Sequence, residues 1–475
     1  MRQTAIAASV WDECALLPRA AIVYGLKELA RRAGVSEEFF NSWQVTFDET
    51  GFLRVVVEPG TRKQLRFPRA SAKFWLDLQA GIFRISTATW LNGPKEHAAG
   101  VPDFKIPFSS LDRNDVGPLF SRVNQDCVDC PVDLLSSIVL TLARFEETFP
   151  GPRDEHGRFG AFVGIASRNN FLHRPIVDEY GLAFAEALGT LLPGWEPRKC
   201  RLQVSLGHDV DEVGIPFSLR STMGHALRRG HPMATLRDLV AQCVGTDTTY
   251  QHHLRKLVQD ALARGLRPAI YWKASGPGPH DAGYDPRDQR IQQLISSFRS
   301  AGLELGMHLS YETYQSVERF QTEVSALQEL LGERKLGGRQ DHLRWSPQSW
   351  VQWDSLNLVY DASVGFADHI GFRAGTSYPF RPWLLSENRQ ANLVEIPLLA
   401  TDSALFGYLK LSPEEALEKL LDLVARCKTV GGVFGLVWHN TTMLHSAHAA
   451  TYRNLLEVLE GSDSYDWRSS GDGSY

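Results

Sequence analysis

The chain has 475 residues, more than one ordinary hydrophobic core organises, so two domains are expected. A formal net charge of -5 leaves no basic footprint for nucleic acid, so no nucleic-acid partner is expected. No run of about 20 apolar residues is present, so no membrane span is expected either.

The first residues meet Asp12 and Glu13 before an apolar signal-peptide core can form, which points to a retained N-terminus and a cytoplasmic location. Residues 1–195 read as an α+β accessory domain. The stretch 20–35, AAIVYGLKELARRAGV, holds a helix that ends near Gly34. The stretch 52–67 reads as a hairpin turning at Pro59 and Gly60. Cys127 and Cys130 form a CxxC. No second pair exists to complete a structural zinc site, so ordinary thiols near a helix start are expected. Residues 131–147 have the look of an amphipathic helix with proline at its start. Its charged end, Arg144, Glu146 and Glu147, reads as a solvated terminus or a local salt bridge. A further helix is expected over 178–189.

From residue 196 the texture changes. Short apolar strands alternate with amphipathic helices, the pattern of βα units around a parallel sheet. The strands are expected at 201–207, 267–272, 303–309, 335–339, 358–363, 392–398 and 432–438. Helices are expected at 249–264, 286–301, 311–332 and 412–429. The last opens on a capping box, Ser412 with Glu415, and has Pro413 at its first position. The expected class is α/β, a distorted seven-stranded (β/α) barrel over 196–475 behind the N-terminal domain.

In such architectures ligands sit at the carboxyl ends of strands. Polar residues gather there: His208, Asp209 and Asp211; His308; Arg339, Asp341 and His342; Asp361; Asp402; His439 and Asn440. A mixed Asp/His set suits a borderline divalent ion, zinc foremost, with iron, cobalt or nickel as alternatives. One of two nearby carboxylates can bind the ion while the other takes a proton from water. His439 could protonate a leaving group, and Arg339 could hold the base or bind substrate. Each residue also has a plainer reading. Asp211, Asp361 and Asp402 could cap helices or turns, and His308 could be a satisfied core histidine. Arg373, Tyr378 and Arg381 lie in GFRAGTSYPFRPW, an ordered loop that is either a sugar-facing wall or ordinary surface.

These motifs resemble those of the polysaccharide-deacetylase (NodB-type) superfamily. The resemblance covers about 200–445. It is carried by SLGHDVD, LELGMHLSYETY, GGRQDHLRW, LVYDASVGFADHIGFRAGTSYPFRPW, NLVEIPLL and LVWHN. The upstream segments VDLLSSIVLTLARFEE, DEHGRF and LHRPIVDEYG are similar to a branch with an extra N-terminal domain. The resemblance implies a distorted βα barrel and one divalent metal that serves to remove N- or O-acyl groups from sugars. Substrates in related branches run from glycans to small cyclic amides. The family's adjacent aspartate pair is split here into Asp209, matching the base, and Asp211, matching a metal ligand, with the swap left open. His308 matches the first metal histidine. The second falls near Glu312, so His342, Glu312 or His208 is the third ligand, with His342 preferred. Arg339 and His439 match the family's arginine and last histidine. The implied partner is a glycan or a small acylated sugar. The alternative is a degenerate relative that binds a glycan without cleaving it.

Overall fold

The computed structural model describes residues 17–48, 52–91, 101, 103–111, 115–214, 232–244, 246–274 and 284–470. The expectation drawn from Asp12 and Glu13 lies outside them. The first helix spans Arg19–Arg32 and stops before Gly34, whose φ of 78° favours glycine. It packs on a second helix, Leu134–Leu142. A Cβ on Gly25 would lie 2.8 Å from the Leu135 carbonyl oxygen, so glycine permits that approach. Strands Phe52–Val56 and Gln64–Pro68 form the expected antiparallel hairpin. They belong to a five-stranded sheet. A separate three-stranded sheet contains Ile85–Thr89, Phe104–Pro107 and Asp115–Pro118.

The segment 131–147 departs from expectation. Its helix covers only Leu134–Leu142, is capped by Asp133, and has all nine residues buried. LLSSIVLTL has no charged residue to form a solvent face, so it serves as a central helix rather than an amphipathic one. Arg144 then turns left-handed, with φ 53°, and a 3₁₀ turn follows at Phe145–Thr148. Cys127 and Cys130 are free, buried thiols, and burial pushes the Cys130 thiol up to about 12. The helix expected at 178–189 spans Ile176–Leu191.

Beyond residue 200 the chain builds a parallel sheet from β1 Gln203–Asp209, β2 Ala269–Trp272, β3 Glu304–Leu309, β4 Gly338–Gln340, β5 Tyr360–Asp361, β6 Val394–Glu395, β7 Ala400–Thr401 and β8 Val433–Val437. The lateral order is β6-β5-β4-β3-β2-β1-β8-β7, and Asp463–Ser464 adds a short strand beside β1. Helices α1 Thr249–Leu262, α2 Gln289–Ser300, α3 Val317–Leu331, α4 Pro347–Ser355, α5 Pro413–Val430 and α6 Ser446–Leu459 connect and follow the strands. The capping box at Ser412 and Glu415 is present with both hydrogen bonds.

The sheet is curled and open, with eight strands along its path, in place of the expected seven-stranded barrel. The expected strand at 392–398 is the cause. Only Val394–Glu395 of it forms a strand, β6; Pro397, which has no N–H to offer a ladder, follows, and β7 begins beyond the expected range at Ala400. The linking segment spans from edge to edge. Ile396 donates its N–H to Asp361 beside β6, and Leu399 donates to Gly435 on β8.

The N-terminal part is not a loose appendage. One hydrophobic cluster runs from Leu17 to Leu393 through both parts. Arg373 binds Glu147 through Nε at 2.9 Å and Nη2 at 2.5 Å. Asp178 accepts from Arg32, from the Thr376 hydroxyl, and from both the N–H and hydroxyl of Ser377. Among the described residues no helix is long and apolar enough to cross a membrane.

Candidate metal centre

Because the strands are parallel, their carboxyl ends share one rim. β1 ends in Asp209, with Asp211 two residues on. Lys273 directly follows β2, His308 is the penultimate residue of β3, and Asp341 directly follows β4. The register sets His308 beside Arg339 across β3 and β4. Asp402 follows β7, and His439 lies two residues past β8.

One donor atom from each of Asp211, His308 and Asp341 lies within 4.8 Å of the other two. His308 Nε2 is 3.2 Å from Asp211 Oδ1 and 3.3 Å from Asp341 Oδ1. Ligands about 2.0–2.1 Å from a tetrahedral ion stand about 3.3–3.4 Å apart, so these spacings and donor types fit one borderline divalent ion. The Lys273 ammonium lies 3.3 Å from Asp211 Oδ1 and 3.1 Å from Asp341 Oδ2. Burial alone would raise both carboxyls. The Lys273 charge, with the hydrogen bond and charge of His308, outweighs it: Asp211 is held well below the usual carboxylate range, and Asp341 is also lowered.

A second group stands beside the first. Arg339 Nη1 donates to Asp209 Oδ1 at 2.7 Å and its Nε donates to the Ala362 carbonyl. The guanidinium lies 4.8 Å from the Tyr271 ring centre. A Cβ on Gly207 would come within 2.8 Å of that ring and 3.2 Å of Arg339 Nη2, so a side chain there would crowd both. His439 Nδ1 is 2.5 Å from Asp402 Oδ1, and its backbone N–H donates to Asp402 Oδ2. Its Nε2 points toward the rim, 3.7 Å from Asp211 Oδ2 and 3.9 Å from Asp209 Oδ2. Burial opposes charge on both rim histidines, but the carboxylates win. His439 is pushed up to about 10, chiefly by Asp402, and His308 up to about 9 by Asp209, Asp211 and Asp341.

Asp209, Asp211, His308, Arg339 and His439, all singled out in the sequence, meet at this rim. His342 stands outside the three-residue cluster, and its neighbour Asp341 stands inside. The reason is local: His342 and Leu343 have φ of 53° and 52°, a left-handed turn that directs the imidazole elsewhere. That ring packs 4.9 Å from His156 and 5.2 Å from Tyr311. The other two alternatives also lie outside. Glu312 is exposed, 3.7 Å from Arg319. His208 is fully buried, with Nδ1 2.8 Å from the Trp438 carbonyl. Asn440 donates to the Glu212 and Tyr250 carbonyls, a structural task.

Asp361 is buried and accepts from the N–H and hydroxyl of Ser363. Burial pushes it up to about 7. The loop that held the proposed sugar wall is largely interior. Arg373 is spent on Glu147 and the Gly365 carbonyl, and the Tyr378 hydroxyl donates to Val430. Neither presents a polar atom to a substrate. Arg381 is half-buried.

Lys273 is absent from the strand ends singled out in the sequence; Asp341 and Asp402 are placed at the rim there, but neither Asp341 as a metal ligand nor Asp402 as the partner of His439. The rule that singled out the other strand ends applies equally to Lys273, the first polar residue after the apolar run AIYW.

DUF7033, a family of unknown function, matches residues 61–193. No curated protein matches the chain. Among solved structures, a candidate polysaccharide deacetylase from Mycobacterium smegmatis is 16% identical, covering 57% of this chain and 89% of that one, with a TM-score of 0.40. PuuE allantoinase is 17% identical over 58% of this chain and 90% of its own, also at 0.40. A second candidate polysaccharide deacetylase, from Pseudomonas aeruginosa PAO1, is 14% identical over 57% and 89%, at 0.39.

Proposed function

We propose that the chain is a metal-dependent hydrolase that removes an acyl group, N-acetyl in the leading case, from a carbohydrate or related C–N substrate. The observation that carries this reading is the convergence of Asp211, His308 and Asp341 within 4.8 Å beside an arginine-held carboxylate. The first three residues would hold one divalent cation, zinc foremost. When bound, that cation would polarise the acyl carbonyl and acidify water. Asp209 is the general base and takes the proton from the attacking water. Arg339 keeps that carboxylate oriented. His439, held by Asp402, donates a proton to the departing nitrogen, so amide and water become carboxylic acid and amine. Arg381 remains the one residue of the 371–383 loop proposed to meet substrate. The resemblance in SLGHDVD and LVWHN supports the same assignment of roles.

The test is zinc content and acetate release from N-acetylated chito-oligosaccharides. Asp211→Ala, His308→Ala and Asp341→Ala should each empty the site, and His342→Ala should keep it filled. Full metal content in all of the first three variants would sink the reading. Lys273, a cation already paired with two of the three ligands, favours a second reading: a deacetylase-like chain that binds a glycan without cleaving it.

A further inference from the structure

The rim already holds a cation of its own. Lys273 is 2% exposed, and the structure pairs its ammonium with Asp211 and Asp341 together. Asp211 Oδ1 is the shared atom: it faces His308 Nε2 at 3.2 Å and Lys273 Nζ at 3.3 Å. A buried ammonium is held in place only by such partners, because its desolvation is otherwise uncompensated. A divalent ion held by the same oxygen would be drawn to the same negative charge and would repel the ammonium strongly at that range. The negative charge of the two carboxylates therefore serves either Lys273 or the metal well, and not both.

We propose that Lys273 competes with the divalent ion for Asp211 and Asp341, and so sets how tightly this site holds metal. The inference rests on the metal reading above. In the metal-free protein Lys273, with His308 beside it, offsets the charge of the two carboxylates and keeps the rim assembled. Metal entry breaks both ion pairs and releases the lysine side chain from between them. The site is thus a weaker and more reversible metal centre than its three ligands alone would make it. A neighbouring ammonium is absent from the ligand set that the sequence implied, and it decides affinity without being a ligand.

The experiment titrates zinc into chelator-stripped full-length protein, by calorimetry or against a chromophoric chelator. Lys273→Met keeps an unbranched side chain, one atom shorter, and removes its charge. It should bind zinc at least about 10-fold more tightly than wild type, while Lys273→Arg, which keeps the charge, stays within about 3-fold. Equal or weaker binding by Lys273→Met, with wild type binding normally, overturns the competition and makes Lys273 a support for the ligands. No binding by wild type or Lys273→Met at millimolar zinc removes the metal reading and the competition together. A second measurement needs no variant. Acetylation of wild-type Lys273 by an amine-reactive ester, read by peptide mass spectrometry, should rise several-fold when zinc saturates the site. Labelling that stays constant on saturation also overturns the proposal.

Discussion

At the junction with the N-terminal part, Arg373 spends Nε and Nη2 on Glu147 and Nη1 on the Gly365 carbonyl, all inside the protein. Arg32 likewise serves Asp178, Glu28 and Thr376. At the sheet rim the charges are as dense, yet they are arranged differently. Asp211 is 34% exposed, one His308 nitrogen faces two carboxylates, and His439 Nε2 stands 3.7 and 3.9 Å from its acidic neighbours. Those last separations exceed a hydrogen bond. The junction is saturated and closed, so it holds the fold. The rim converges with bonding capacity left over, which is what a ligand would use. Buried charge alone does not mark a functional site; unfinished convergence near solvent does.

The sharpest way to break this comparison is at the junction. Arg373→Met leaves Glu147 with Arg144 as its remaining arginine, and should cost about 3–5 kcal/mol of stability in urea unfolding. Zinc stoichiometry should not change. Lost metal with unchanged stability would mean that the two regions had been assigned the wrong way round. At the rim the opposite pattern is expected. Asp209→Asn should cut acetate release about 10²- to 10⁴-fold while keeping zinc bound. If it empties the site instead, Asp209 and Asp211 have exchanged roles.

A smaller effect reports the His439–Asp402 pair. A histidine raised to about 10 contributes stability that is fully present below its ordinary value near 6.5. That contribution is lost as pH rises through about 10. Metal-free wild type and Asp402→Asn should therefore differ by about 2 kcal/mol at pH 6 and converge near pH 10. Parallel curves across that range would refute the pairing as the source. The smallest effect is expected at His342. Asn tolerates the left-handed backbone there, so His342→Asn should stay within about 1 kcal/mol of wild type with zinc binding intact. A drop in zinc affinity would return His342 to the centre.

Much of the scaffold was legible locally. The stop at Gly34, the hairpin around Gly60 and the Ser412–Glu415 box are short-range chemistry, and each needs only a few neighbouring residues. Alternating apolar strands and amphipathic helices specified a parallel sheet, and the strand-end rule brought Asp209, Asp211, His308, Arg339 and His439 to notice. The order of strands and the opening of the sheet were less visible, because the run 392–398 forms a strand only at Val394–Glu395 and a second short strand, Ala400–Thr401, follows beyond Pro397.

Two further outcomes belonged to tertiary structure alone. Arg373 and Tyr378 sit in a loop whose composition suits a surface wall, yet Glu147 and Val430, far away in sequence, draw them inside. Asp341 and His342 are adjacent in sequence, and a left-handed turn sends only one of them toward Asp211 and His308. The sequence by itself determined which residue types end which strands, since periodicity and turn chemistry act over a few residues. Only the folded sheet decided which of those groups meet, because parallel register and backbone dihedrals join atoms whose residues lie far apart in the chain, 130 positions in the case of Asp209 with Arg339.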